Sequence, residues 1–239
     1  MINLIRGEAI KIRSTRTAIA FTIAGALLML LVVLVSTLAG EPSSVDAKRE
    51  TVTIAPAGVL FIVFGVVGAT GEYRHRTIAP AILIAPDRLR LLGARALAYA
   101  VTAAAVALVM LLVALAVGLP LMAGNDGGAL DGADYAGLLG GGMASAALGG
   151  AMGVGFGALV GNQVAGVVGV LVYIFVLDGL IGVADSDLIP YTIGTAAPAL
   201  AGLEIDEAFP FLGSLAVMAG WTLAFLGAGL VRESTREVT

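Results

Sequence analysis

The sequence predicts an all-α membrane protein with six transmembrane helices, an N-terminal interfacial helix and both termini in the cytoplasm. Three observations carry this. Apolar residues make up 59% of the chain and charged ones 13%, with a mean hydropathy of +1.02, whereas soluble domains carry roughly 25% charged residues. Six apolar runs are each long enough to cross a hydrocarbon core of about 30 Å at ~1.5 Å per residue: 17–39, 52–70, 91–123, 135–160, 164–183 and 211–231. Threading the chain through those runs puts Arg6, Lys11, Arg13, Arg16, Arg74, Arg76, Arg88, Arg90, Arg95, Arg232 and Arg236 on one side, against Lys48 and Arg49 on the other. The cation-rich side is the cytoplasmic one. Acids collect on the opposite face, from Glu41 to Glu207, which agrees with that orientation without setting it. The spans consume most of the 239 residues, so residues 1–239 are expected to form a single membrane domain.

The first fourteen residues place Ile2, Ile5, Ala9 and Ile12 on one helical face and most of the cations elsewhere. Such a stripe suits a helix lying in the inner interface plane, apolar side toward the acyl boundary. The first apolar run exceeds the 7–15 residues of a signal-peptide core, so it reads as a retained span. Between the second and third spans lies GEYRHRTIAPAILIAPDRLRLLGAR, Gly71 to Arg95. Its charged opening is followed by an apolar ledge, Ile78 to Ile84, bracketed by Pro80 and Pro86. A short amphipathic helix here could fill a partner's groove; the alternative is a plain surface loop whose arginines only set topology.

The fourth span is poor in bulk. Small residues recur every fourth position at Gly141, Ser145, Gly149, Gly153, Gly157 and Gly161, the pattern that lets helix backbones approach closely in lipid. A four-residue repeat drifts by about 40° per step on a helix of 3.6 residues per turn, so the stripe is expected to meet more than one neighbour. Gly149 and Gly153 are candidates for a helix-packing, subunit or pathway surface. A short polar turn at Asn162 and Gln163 leads into the fifth span, which contains Asp178. An acid in a span needs a partner, water or a proton, so Asp178 reads either as a structural group that ends the helix with Gly179 or as a transport residue. The stretch from Ala184 to Pro210 mixes apolar patches with prolines and acids, and a short external re-entrant or surface helical pair fits it.

Several function classes drop out. With no cysteine there are no disulfides, thiolate metal sites or cysteine nucleophiles; His75, the single histidine, has no partner with which to share a metal and reads as a surface residue. No Gly-rich run is followed by Lys and Ser/Thr after a strand, so the chain has no phosphate-binding loop. No paired acids or Ser/His set lies within the spans to build an enzyme site.

The run Glu72, Tyr73, Arg74, Thr77, Leu83, Pro86, Arg88 and Ala94-Arg95 resembles the pattern of ABC-2 type transporter permeases, the transmembrane subunits of type V exporters, in their small actinobacterial form. The resemblance extends over the interfacial helix, the six spans, the Asn162-Gln163 turn, the acid in span five and the broken external segment. This chain departs from the pattern with Arg76 where glycine is common and Arg95 where lysine is common. The resemblance implies a coupling helix within 71–90 that docks on a separate ATP-binding cassette subunit, which alone would bind ATP and magnesium. It assigns docking to Glu72, Arg74, Arg76, Thr77, Ile78, Ile82, Pro86 and Arg88, with Asn162 and Gln163 as a smaller contact; Asp178, Gly149 and Gly153 stay candidates for pathway or gating roles on the reading of the residues themselves. A second permease copy or paralogue and the lipid bilayer are the other expected partners, with no nucleic acid and no cofactor in this chain. The aliphatic spans, with few aromatic rings, suit an amphipathic drug, peptide antibiotic or lipid-like cargo better than a polysaccharide. Two rival readings stay open: an ion- or proton-coupled secondary transporter using Asp178, and a membrane immunity or scaffold protein without transport.

Overall fold

A computed structural model describes residues 2–40, 42–74, 88–126 and 128–235. Its elements are α1 (Ile2–Ser14), α2 (Arg16–Gly40), α3 (Val45–Val52), a 3-10 turn (Ala55–Ala57), α4 (Gly58–Arg74), α5 (Arg88–Met122), α6 (Gly132–Val160), α7 (Gln163–Val172), a π turn (Tyr173–Leu177), α8 (Asp178–Ala184), a 3-10 turn (Ser186–Tyr191), α9 (Ile193–Leu200) and α10 (Phe211–Thr235). No strand occurs among the described residues. Six helical stretches are long and apolar enough to cross a membrane: Arg16–Gly40, Val45–Gly71, Arg88–Met122, Gly132–Val160, Gln163–Ala184 and Phe211–Thr235. This is the architecture of a multi-pass membrane protein.

The second stretch differs from its sequence reading. It begins in α3, seven residues earlier than expected, and the 3-10 turn bearing Pro56 sets α3 apart from α4. Pro56 cannot donate a backbone hydrogen bond, so it fits the first turn of a helix and ends a preceding one.

The glycine-rich α6 is the hub, packed against α4, α5, α9 and α10. A Cβ on Gly153 would lie 2.0 Å from the Ile62 carbonyl oxygen of α4, and one on Gly65 of α4 would lie 2.1 Å from the Gly150 carbonyl oxygen. On other faces of α6, Gly150 meets the Tyr99 carbonyl of α5, Gly155 meets Phe225 and Leu226 of α10, and Gly141 meets the Leu200 carbonyl of α9. The winding stripe therefore meets α9 at Gly141 and α4 at Gly149 and Gly153, while Gly150 and Gly155 beside it bring α5 and α10 against the same helix. Asp131 and Asp134 start the helix with reciprocal capping bonds, and Gly161, at a φ of 67°, ends it in the left-handed conformation that glycine adopts without steric cost.

Polar side chains fasten the end of the bundle opposite α1. The Lys48 ammonium, 6% exposed, donates to the carbonyls of Asn125 (3.0 Å) and Gly128 (2.7 Å). Arg49 pairs with Glu204 and lies 3.6 Å from Asp134 and 3.7 Å from Asp46. Thr53 and Ser145 donate to the Ala201 and Ala197 carbonyls at 2.6 and 2.9 Å, which ties down the C-terminal end of α9.

Replacing Gly153 with leucine drives a side chain into the α4 backbone and is expected to cost about 3 kcal/mol or more. The same change at Gly140, which has open space around it, should stay within about 0.5 kcal/mol. Thermal unfolding midpoints of the two purified variants check the contrast.

Candidate functional site

The residues singled out by sequence fall into two groups at different places on the bundle. Glu72 and Arg74 belong to the last turn of α4, but their side chains lie outside the described residues, as do Arg76, Thr77, Ile78, Ile82 and Pro86 altogether. Arg88 is the first residue of α5. Asn162 caps α7: its side-chain oxygen accepts the Ala165 N–H at 3.1 Å, satisfying one of the open donors at a helix start. Gln163 follows as the first residue of that helix. The turn and Thr70 of α4 together line a groove of about 680 Å³ with Val164, Val167 and Val168. The Asn162 turn therefore sits against the end of α4 from which the 71–90 segment departs.

The same end holds a pair that the sequence reading did not assign. Glu8 of α1 is 5% exposed and Arg95 of α5 is 1% exposed. Arg95 Nε lies 3.9 Å from Glu8 Oε2, and Lys11 Nζ donates to Glu8 Oε1 at 2.6 Å. Ile12, one turn on, is 2% exposed. The apolar face expected to lie in lipid thus packs at Ile12 against the protein, with a carboxylate beside it. The signal was present, because Glu8 stands three residues after Ile5 and four before Ile12, within the apolar stripe. Two charges brought out of water hold only when they face each other or other polar groups, so the pair fixes how α1 rests on α5.

Asp178 has a definite partner. The π turn leaves the Asp178 N–H bonded to the Tyr173 carbonyl, five residues back, and the helix then continues as α8 to Ala184. Asp178 and Gly179 therefore do not end the helix, as the structural reading had it. Instead the Asp178 Oδ2 accepts the Gly194 N–H at 2.6 Å, and Gly194 is the second residue of α9. A carboxylate at a helix start satisfies an open donor and complements the positive end of the helix dipole. A Cβ on Gly194 would lie 2.0 Å from the same carboxylate oxygen, so any side chain there would displace the carboxylate from this bond. Tyr191, just before α9, accepts the Trp221 indole N–H at 2.8 Å through its carbonyl. Gly149 faces Phe61 and Ile62 of α4 at ordinary contact distance and Gly153 meets the α4 backbone, so both are helix-packing positions.

No protein-family model matches the chain, and no curated protein matches it.

Removing one member of the buried pair should be costly. Glu8→Ala is expected to destabilise the protein by about 3 kcal/mol, the lower end for breaking a buried ion pair. A double-mutant cycle with Arg95→Met, followed by thermal unfolding, should show a coupling of at least ~1 kcal/mol.

Proposed function

We propose that the chain is the transmembrane permease subunit of an ATP-driven exporter of the ABC-2 type, working as a dimer of permeases with separate ATP-binding cassette subunits. The observation that supports this most is the shared end of the bundle. There α1 is held to α5 by Glu8 and Arg95, and the Asn162 turn abuts the end of α4 at Thr70. On the charge rule this end is cytoplasmic, with the acidic outer cap on the far side. A cassette subunit gripping the 71–90 segment would pull on α4 and α5 together, and Glu8 would pass that movement to α1.

ATP binding drives such a machine only if the docked contact favours one packing of the helices over another, by the difference in its affinity for the two. The backbone contacts of α6 suit this role, because closely packed interfaces switch between discrete arrangements instead of deforming smoothly. The cargo consistent with an aliphatic interior is an amphipathic drug, peptide or lipid-like molecule.

The chain, co-expressed with the cassette ATPase encoded beside it and purified through its own tag, should carry the ATPase with it. Glu72→Ala, Arg88→Ala and Asn162→Ala should each weaken that capture or uncouple ATP turnover, while Glu50→Ala, remote from this end, leaves both unchanged. Failure of any cassette protein to bind would sink the reading. In the rival proton-coupled mechanism Asp178 must change protonation. Asp178→Asn keeps an acceptor for Gly194 and is expected to keep ATP-dependent export in vesicles; loss of export with intact folding would favour the rival.

A further inference from the structure

Beneath the π turn lies a cavity of about 280 Å³. Its walls come from α4, α6, α7, the π turn, α9 and α10, and include Met152, Phe156, Gly169, Tyr173, Ile174 and Phe225. It is lined almost wholly by carbon. Three aromatic rings bound it, and two of them, Phe156 and Phe225, stand edge to face at 5.2 Å between centroids. Gly169 keeps the space open, since a Cβ there would already press on the Phe156 ring at 3.1 Å.

A closed apolar cavity of about 150 Å³ stays dry and accepts benzene, and this larger, partly open one has room for a guest of at least that size. Ligand sites in helical bundles form in such inter-helix spaces, and π turns recur at functional positions because they widen a helix locally. The outer wall is suited to admit a guest from the surroundings. Phe175, on the same π turn, is 71% exposed, and Val168 of α7 is half exposed, so the elements that line one side of the cavity face the hydrocarbon phase on their other side, and the cavity is itself partly open. The compact shape and ring lining favour a planar aromatic molecule over an extended chain, because aromatic pairs gain energy beyond their buried area.

We propose that this cavity is a binding site for a small uncharged aromatic hydrocarbon, of about two fused rings, taken up from the bilayer. Its lining includes none of the residues assigned to docking.

The chain provides its own reporter. Its single tryptophan, Trp221, stacks on Phe225 (5.6 Å, 23°) and meets Tyr173 edge-on at 5.9 Å, directly behind two of the cavity walls. With the full chain in phosphatidylcholine nanodiscs, titration with 1-bromonaphthalene should quench Trp221 saturably, and excess naphthalene should restore the emission. Gly169→Val and Ile174→Phe fill the space from different walls, and each should lose the saturable component while eluting as a monodisperse, helical protein. Quenching that rises linearly in the unaltered chain, or that naphthalene does not relieve, would overturn the proposal whether or not the variants fold. Saturable quenching retained in either folded variant would do the same. In nanodiscs of lipids brominated on the acyl chain, quenching that naphthalene fails to relieve but that Gly169→Val and Ile174→Phe abolish would identify a lipid chain as the occupant and overturn the small-molecule assignment.

Discussion

The fold depends on direct contact between helix backbones along α6. Side chains usually hold helices 8–10 Å apart, but here glycines on α6 and α4 remove them, and carbonyls such as those of Ile62 and Gly150 stand where a Cβ would otherwise be. In a membrane the lipid tails are as apolar as the side chains, so helix association draws on close van der Waals packing in place of water exclusion. One helix poor in bulk that meets four partners supplies such packing on several of its faces. The remaining elements follow from it: α4, α5 and α10 form the inner ring, α9 closes one end, and α2, α7 and α8 keep largely exposed apolar faces at the periphery.

The number of spanning stretches was legible because length and hydropathy are one-dimensional properties. The boundaries of the first, third, fourth, fifth and sixth agree to within a few residues. The winding of the glycine stripe was legible too, since the mismatch between a four-residue repeat and the helical period is geometry. What escaped was side-chain pairing between distant segments. Glu8 and Arg95 are 87 positions apart, and nothing in either local stretch names the other. Lys48 and Arg49 read as two stray cations on the acidic face, and only the three-dimensional arrangement shows them bound to backbone carbonyls and to carboxylates from other elements.

Asp178 shows the same limit from the other side. Sequence marks it as an anomaly within an apolar run but says nothing of where its carboxylate goes. The choice between ending its own helix and serving in transport left out the outcome found, the capping of a different helix sixteen residues further on. Burial of a charge demands compensation, and a neighbouring helix start meets that demand as well as any side chain does. The segment between α4 and α5 is a different case, since Arg76 to Pro86 lie outside the described residues and the role proposed for them rests on resemblance and on the elements that flank them.

The link from Asp178 to Gly194 divides the periphery into cooperative units of unequal strength. The window of Gln163–Ala184 is only 11% buried, against 61% for that of Gly132–Val160, so few packing contacts oppose its departure from the bundle. Local opening free energies follow such differences. The Asp178 carboxylate ties α8 to the N-terminal end of α9, so opening of the far half of this stretch must break that bond and leave a helix-start donor open. The near half, from Gln163 to the π turn, is held to the bundle in another way, by packing against α4, with Gly166 set close to Val66.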